Sequence, residues 1–124
     1  MGRNTYDTAL GFERWPYAGK RVAVLTHRDG SSSHGEHFYQ GSPDEVLESL
    51  HASGARHAYV DGGAVIRRFL NAGVIDELTL SVIPILLGSG IPLFSTGGRE
   101  LGLKLLEARP YPSGLTQLRY ALTA

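Results

Sequence analysis

The segment that decides the fold reads YVDGGA at residues 59–64. The apolar residues of His57–Asp61 predict a short buried strand, and Ala64–Ala72 follows with the apolar spacing of a helix. The first backbone N–H groups of a helix have no intrahelical partner and carry a partial positive charge. Glycine at Gly62 and Gly63 lets a phosphate approach those groups without a Cβ in the way. The pattern fits a phosphate site, and it also fits a tight turn that simply needs glycine.

The other elements can be placed on either side of this segment. Residues 21–26 are nearly continuous in β-forming apolar residues, which favours a strand buried on both faces. Residues 43–53 follow as a helix that Ser42 caps and Gly54 ends. The predicted order is strand, helix, strand, helix and three strands, which fits a parallel α/β front half and an antiparallel tail. The last three strands are expected at the beginning of the apolar pattern 77–87, at 101–109 and at 115–122, and the loop-like stretch is 28–35.

The composition limits the class of protein. The chain has 124 residues, enough for one domain, and its 12 Lys and Arg residues balance 12 Asp and Glu residues. This balance gives no overall field toward nucleic acid or membrane, so an anion would have to be held by a local arrangement. The chain has no cysteine, which excludes disulfides and thiolate chemistry. It shows neither a signal peptide nor an apolar run of membrane-spanning length, so we expect a cytoplasmic protein without nucleic-acid or membrane partners.

Two further segments have the composition of anion sites. The first, GRNTY at residues 2–6, places an arginine and a hydroxyl residue after a glycine at the start of a short helix. The second, THR at residues 26–28, follows the first strand, and ligands of open α/β sheets lie outside the carboxyl ends of strands. Taken alone, the first also fits a plain helix start and the second a polar loop start. The candidate anion-binding residues of these segments are Gly2, Arg3, Asn4, Thr5, Thr26, His27 and Arg28.

Metal binding and hydrolytic chemistry find weaker support. His27, His34 and His37 could be read as a metal cluster, but the serine-rich loop lacks a carboxylate pattern, so solvated histidines and no metal are expected. A nucleophile-elbow motif for a serine hydrolase is absent from the sequence. Glu36 and Asp61 are the carboxylates near the predicted cleft edge, and both are expected to be structural. We therefore assign no catalytic residue.

Taken together, these motifs resemble the dihydrofolate reductase-like superfamily. The more specific resemblance is to the riboflavin-biosynthesis reductase (RibD C-terminal) domain family and its small bacterial relatives. It covers essentially the whole chain, and its last two segments are quite specific to this subgroup. The matching segments are residues 2–6, 24–28, 60–70, 72–78 and 84–94.

The resemblance implies a fold and a function. The fold would be a single three-layer domain over residues 1–124, with a mostly parallel central sheet and an antiparallel C-terminal hairpin. The function would be an NADPH-dependent reductase that transfers hydride to a small molecule, either a pterin-like or a ribosylamino-pyrimidine substrate. The alternative is a catalytically inactive nucleotide-binding or structural relic of that fold. The resemblance assigns NADPH binding to Gly2, Arg3, Asn4, Thr5, Thr26, His27, Arg28, Gly62, Gly63, Ala64 and Val65.

The chain departs from the family pattern at its start. Family members place another strand and a helix before the Gly-Arg motif, whereas here that motif begins at Gly2. We therefore expect a domain that is incomplete at the N-terminus and lacks the usual first strand. Unpaired backbone groups in a sheet each cost about 1–3 kcal/mol, so the gap must be closed by the sheet, a second copy or another polypeptide. A homodimer is the expected state.

Overall fold

The computed structural model describes residues 1–27, 32–94 and 98–123. It divides the chain into two compact units, Met1–Ala72 and Gly73–Ala124. The first unit contains helices and parallel strands, whereas the second contains an antiparallel sheet. The extent of a single domain over residues 1–124 stays a prediction. Over the described ranges, each helix is too short or too polar to cross a membrane.

The first unit is built around a short parallel sheet. Strand β1 pairs with β2 through Ala23 opposite His37 and Leu25 opposite Tyr39. On its other edge, β1 forms a parallel bridge to Gly2, with the Leu25 N–H donating to the Met1 carbonyl at 2.8 Å. In chain order, its elements are α1 (Arg3–Leu10), β1 (Ala23–Leu25), β2 (His37–Tyr39), α2 (Pro43–Ala52) and α3 (Gly63–Ala72).

The core of this unit joins α1 to the sheet. Tyr6 on α1 is 2% exposed, and Val24 on β1 is fully buried, as predicted for a strand covered on both faces. The Tyr6 ring meets Trp15 and Phe38 edge to face, at centroid distances of 6.1 and 5.5 Å. Aromatic pairs in this geometry add to the stability that burial of their surface supplies. The core therefore fixes where the start of α1 lies relative to β1.

The ends of α2 and α3 follow the predicted local signals. The Glu45 N–H donates to Ser42 Oγ at 3.2 Å, which confirms Ser42 as the N-cap of α2. The chain leaves α2 at Gly54 with φ of 95° and leaves α3 at Gly73 with φ of 72°. Both angles lie in the left-handed region that glycine adopts without a Cβ penalty.

Two strand assignments in this unit differ from the sequence analysis. The buried strand expected at His57–Asp61 is wrong: the segment is not a strand, and Tyr59 in it is 86% exposed. A strand needs a neighbour for its backbone groups, and no strand among the described residues pairs with this segment. Conversely, β2 (His37–Tyr39) was not predicted, because three residues are too few for a periodic pattern.

The second unit is a three-stranded antiparallel sheet in the order β3-β5-β4. Its central strand β5 pairs Tyr120 with Leu78 on one side and with Leu105 on the other. At the turn between β4 and β5, the Gly114 N–H donates to the Tyr111 carbonyl at 2.9 Å. The predicted antiparallel C-terminal hairpin is therefore confirmed. The strands are β3 (Glu77–Val82), β4 (Gly102–Pro110) and β5 (Thr116–Thr123).

Apolar side chains of the second unit are widely exposed. The segment between β3 and β4 leaves Leu86 fully exposed and Ile91 93% exposed. Across the described part of this unit, no residue is buried. Exposed apolar patches of this kind mark interaction surfaces in soluble proteins. The most exposed residues of this patch are Ile83, Ile85, Leu86, Leu87, Ile91, Leu93 and Phe94.

Candidate functional site

The three predicted anion motifs converge in the first unit. Gly2 bridges Leu25, so the start of α1 lies beside the carboxyl end of β1. Gly2 also lies against α3, because a Cβ built at this residue would be 3.0 Å from Val65 Cγ2. The starts of α1 and α3 and the end of β1 therefore meet. We call the meeting point of Gly2, Gly62 and Gly63 the glycine corner.

The N-terminus of α3 supplies backbone donors to the glycine corner. The first intrahelical bond runs from the Ile66 N–H to the Gly62 carbonyl at 2.9 Å. The N–H groups of Gly63, Ala64 and Val65 precede that bond, and a helix offers them no acceptor of its own. The first turn of α3 contains no acidic residue that would offset the positive end of the helix dipole. This arrangement favours an anion.

Gly62 brings α1 and α3 into close approach. Its φ of 94° is in the left-handed region, and a Cβ at this residue would lie 2.5 Å from Thr5 Oγ1. A side chain here would be strained and would also collide with the Thr5 hydroxyl. That hydroxyl therefore faces the helix start, as expected if Thr5 and Gly62 act on the same group.

Gly63 has a different neighbour, Arg67. A Cβ built at Gly63 would lie 3.2 Å from Arg67 Nη1, so the guanidinium of Arg67 covers this residue. Sequence reasoning did not assign Arg67 to the site. The available signal was its spacing, because residues four apart on a helix lie on the same face.

Arg3 adds a second guanidinium in the first turn of α1. Its Nε donates to Asp7 Oδ1 at 3.0 Å, and the group lies over the rings of Tyr6 and Phe38, 5.8 and 6.0 Å from their centroids. Its Nη1 is buried and has no hydrogen-bond partner among the described residues. A buried donor without a partner is costly, and an anion bound beside it would remove that cost.

The remaining predicted site residues are placed as follows. Thr26 is 8% exposed, and its N–H donates to the Tyr39 carbonyl at 3.0 Å, which ties it to the strand ladder. His27 is exposed beyond it, and Arg28 lies outside the described residues. Asn4 and Ala64 are exposed at the starts of their helices.

A cavity adjoins the glycine corner along α1. Its volume is about 280 Å³, near the lower end of the range for small-molecule sites. Thr5 lines it and also faces Gly62, so this residue borders both the cavity and the corner. Polar groups of α1 and two aromatic rings surround it, a combination that suits a planar heterocycle. The lining residues are Asn4, Thr5, Thr8, Ala9, Phe12 and Tyr17.

Asp61, directly before the glycine pair, is held by a tyrosine. The Tyr17 hydroxyl donates to Asp61 Oδ2 at 2.7 Å. This hydrogen bond, with burial second, raises the pKa of Tyr17 to about 12, so the phenol stays protonated as a donor. The pair links the segment after α1 to the residue that enters the glycine turn.

Glu36 is a buried carboxylate that organises the loop before β2. It is 4% exposed and accepts from Ser32 Oγ at 2.7 Å and from the Ser33 and His34 N–H groups at 3.0 and 3.1 Å. Burial alone would raise the pKa of Glu36, but these hydrogen bonds outweigh it and lower the pKa to about 2. The carboxylate is therefore ionised at neutral pH and serves the loop.

The histidines considered as metal ligands have other surroundings. The His34 ring stacks on Trp15 with a centroid distance of 4.3 Å and an interplanar angle of 3°. His37 begins β2 opposite Ala23. Within residues 1–27, 32–94 and 98–123, no three His, Cys, Asp or Glu side chains are grouped closely enough to hold a metal ion.

Comparison with known proteins identifies a matching family. The family model for the RibD C-terminal domain matches residues 18–117. A solved structure of a putative riboflavin biosynthesis protein from Shewanella sp. PV-4 is 34% identical, with a TM-score of 0.90 over 100% of this chain and 72% of its own. A pyrimidine reductase-like protein from Corynebacterium diphtheriae is 22% identical, with a TM-score of 0.65 over 82% of this chain and 50% of its own, which supports the fold. The predicted α/β class is thereby confirmed.

Curated relatives also include a riboflavin biosynthesis protein, but they match smaller parts of this chain. The uncharacterized protein YyaP of Bacillus subtilis is 36% identical over 62% of this chain. That match spans 43% of YyaP, less than half of its length. The riboflavin biosynthesis protein RibD of Corynebacterium ammoniagenes is 43% identical over 42% of this chain and 16% of its own length.

Proposed function

Because the chain belongs to the RibD C-terminal domain family, we propose that it is an NADPH-dependent reductase acting on a pterin-like or ribosylamino-pyrimidine small molecule. The observation that carries this proposal is the glycine corner, where the α3 N-terminus faces the start of α1. Backbone amides, a hydroxyl and guanidinium groups are the donors that a dinucleotide diphosphate requires. Membership of this family, which is related to riboflavin biosynthesis, also supports a reductase-like fold for the chain.

The residues present fit the cofactor. Phosphate oxygens would satisfy the unpartnered Nη1 of Arg3, and the first amides of α3 are donors that a helix does not itself satisfy. When bound, NADPH supplies the hydride. The first unit would orient it, with the diphosphate at the glycine corner and the cavity along α1 beside it. The proposed assignments are Gly2, Arg3, Asn4 and Thr5 for the pyrophosphate and adenosine side, Thr26, His27 and Arg28 for the 2′-phosphate, and Gly62, Gly63, Ala64 and Val65 for the diphosphate amides.

The proton that accompanies hydride transfer is not assigned to a residue of this chain. Glu36 is ionised at neutral pH and is surrounded by its own loop donors. Asp61 accepts the Tyr17 hydroxyl. Since Glu36 is held ionised by its loop and Asp61 is engaged by Tyr17, an inactive nucleotide-binding relic is the alternative proposal.

Ligand titration followed by turnover separates these proposals. We expect NADPH to bind with a micromolar dissociation constant, measured by its fluorescence, and NADH to bind more weakly. Reduction of a ribosylamino-pyrimidine or a dihydropteridine, followed by loss of NADPH absorbance, would support the reductase. Binding without turnover of either substrate would favour the relic, and a chain that binds no NADPH would contradict both.

We further propose that the protein is a cytoplasmic homodimer joined through the apolar segment of its second unit. Seven apolar residues of the segment 83–94 are 44% to 100% exposed, which gives an apolar surface that a second copy could cover. The net charge of zero imposes no overall repulsion between two copies. Covering this surface would also supply the burial that the second unit lacks.

The dimer proposal predicts that Leu86→Glu produces a monomer. Leu86 is fully exposed in one copy, so glutamate should be tolerated by the fold but excluded from an apolar interface. Sedimentation velocity at micromolar concentration should show a dimer for the parent chain and a monomer for the variant. Tyr59→Glu, at a residue 86% exposed in the first unit, is the matched control and should remain dimeric. A monomeric parent chain would refute the proposal.

A further inference from the structure

The cavity along α1 is surrounded by uncharged side chains. The six described residues that line it are polar, apolar or aromatic, and all are neutral at neutral pH. Tyr17 is neutral because its hydrogen bond to Asp61, with burial second, raises the pKa of the phenol to about 12. Arg3 and Asp7 on α1 pair with each other at 3.0 Å, and neither lines the cavity. An ionic group entering the cavity would therefore leave water without meeting a counter-charge in its walls, which is costly.

The polar groups of the cavity match the edge of a heterocycle. Asn4 is exposed, and its carboxamide carries a donor and an acceptor, the pair with which asparagine binds base edges. The Thr8 hydroxyl donates to the Asn4 carbonyl at 2.9 Å, so its oxygen keeps the capacity to accept. The Tyr17 hydroxyl donates to Asp61 and likewise keeps an acceptor. Ring N–H and carbonyl groups would find neutral partners here.

Phe12 adds an aromatic surface to the cavity. The Phe12 N–H donates to the Ala9 carbonyl at 3.2 Å, and this turn holds Phe12 beside the end of α1. Phe12 lines the cavity and is 57% exposed, so part of its surface is open to a ligand. Planar heterocycles stack on exposed aromatic rings with little dependence on their substituents. The cavity therefore combines a stacking surface with neutral hydrogen-bonding groups.

We propose that this cavity binds the ring system of an uncharged planar heterocycle and disfavours a substrate that carries a phosphate. The inference rests on the proposed function and chooses between its substrate classes, favouring a pterin-like ring over a phosphorylated ribosylamino-pyrimidine. The volume of about 280 Å³ suits a ring system without a long substituent. The donors of the glycine corner, which Thr5 also borders, are assigned to the cofactor diphosphate and are not left for a second phosphate.

The first test uses ligands that differ in one phosphate. Dihydropterin, a ribosylamino-pyrimidine and its 5′-phosphate ester are titrated calorimetrically into the full chain, with and without NADPH. We expect dihydropterin and the unphosphorylated pyrimidine to bind, and the ester to bind about tenfold more weakly than the unphosphorylated pyrimidine. Equal or tighter binding of the ester would overturn the proposal.

The second test locates the ring in the cavity. Phe12→Ala should weaken dihydropterin binding by about tenfold, the effect of losing one stacking surface, and should leave NADPH binding unchanged. Leu10→Ala is the matched control, because Leu10 is 41% exposed at the end of α1 and does not line the cavity. Its affinity for dihydropterin should equal that of the parent chain. Unchanged dihydropterin affinity in Phe12→Ala would overturn the assignment.

The third test supplies the missing charge. Thr8 is exposed and lines the cavity, so both Thr8→Lys and Thr8→Gln should fold. The two variants have side chains of similar reach and differ in charge. We expect Thr8→Lys to bind the phosphate ester about fivefold more tightly than Thr8→Gln, and both to bind the unphosphorylated pyrimidine equally. Equal binding of the ester by both variants would show that its phosphate does not meet the cavity, against the proposal.

These titrations also separate the inference from the proposed function. A parent chain that binds NADPH but no heterocycle would overturn the inference and leave the nucleotide site in place. A parent chain that binds dihydropterin through Phe12 but does not bind NADPH would support the inference and contradict the proposed reductase.

Discussion

Gly63→Val should weaken NADPH binding by about 100-fold, equivalent to about 2.7 kcal/mol, while the protein stays folded. The branched side chain would occupy the space over the α3 amides where the diphosphate is proposed to lie. It would also displace Arg67, since even a Cβ at this residue lies 3.2 Å from Nη1. Losing two charge-assisted hydrogen bonds is sufficient for an effect of this size.

The fold should survive because Gly63 has no positive φ and its crowded neighbour is the flexible end of an arginine. Gly11→Val is the matched control in the same unit. Gly11 also has an ordinary φ, of −80°, and a Cβ there would meet no atom closer than Thr8 O at 3.4 Å. NADPH fluorescence titration together with thermal melting distinguishes lost binding from lost structure.

Unchanged NADPH affinity in a folded Gly63→Val chain would place the nucleotide elsewhere. The same result in Gly62→Val would be less informative. That residue combines a φ of 94° with a close approach to Thr5 Oγ1, so a substitution there is expected to disturb the contact between α1 and α3. Gly62 is therefore required by the backbone conformation, whereas a substitution at Gly63 tests ligand binding without that strain.

Features set by neighbouring residues were predictable from the sequence. Ser42 and Glu45 are three positions apart, and their mutual hydrogen bonds cap α2 as the pattern indicates. Gly54 and Gly73 end the two helices because a left-handed residue is a local requirement. The hairpin of β4 and β5 follows from two strand candidates on either side of a turn that contains Gly114.

Features that depend on distant partners were not predictable in this way. The apolar content of His57–Asp61 resembles that of β1, yet β1 has neighbours on both edges and this segment has none among the described residues. A strand is defined by hydrogen bonds to another segment, so its own composition cannot settle its state.

The candidate site was likewise predictable from local motifs but not from contacts between distant residues. Sequence motifs identified the glycines and the hydroxyl and basic residues, and the structure brings the starts of α1 and α3 together. The roles of Arg3 Nη1 and Arg67 depend on which atoms are covered after folding. The spacing of Gly63 and Arg67 indicates a shared helix face, but residue types do not show which atoms become buried.

Glu36→Gln should destabilise the first unit by about 1–3 kcal/mol at pH 7, although it changes one atom of the side chain. The carboxylate accepts hydrogen bonds from the Ser32 hydroxyl and from the N–H groups of Ser33 and His34. In glutamine, one of those acceptors becomes an NH₂ donor that would face other donors in a site only 4% exposed. Urea unfolding followed by Trp15 fluorescence measures the effect locally, because Trp15 stacks on His34 and is the one tryptophan of the chain.

The pKa of Glu36 also predicts how the free energy of unfolding changes with pH. The pKa of Glu36 is lowered to about 2 in the folded chain from an ordinary value of 4.5, so the folded state favours the ionised form. Its contribution to the free energy of unfolding is therefore complete above about pH 4.5 and is lost as the pH falls toward 2. Glu36→Gln should flatten the pH dependence in that window, while Glu48→Gln, at an exposed position of α2, should leave it unchanged.

A pH profile of Glu36→Gln parallel to that of the parent chain would show that other carboxylates govern acid unfolding. Loss of stability at pH 7 with a flattened profile would instead assign both effects to one buried charge. This matters for function because the loop that Glu36 holds joins the carboxyl end of β1 to β2. Thr26 and His27 begin that connection, so the same variant should weaken 2′-AMP binding if the loop positions the 2′-phosphate site, and it should affect ADP less.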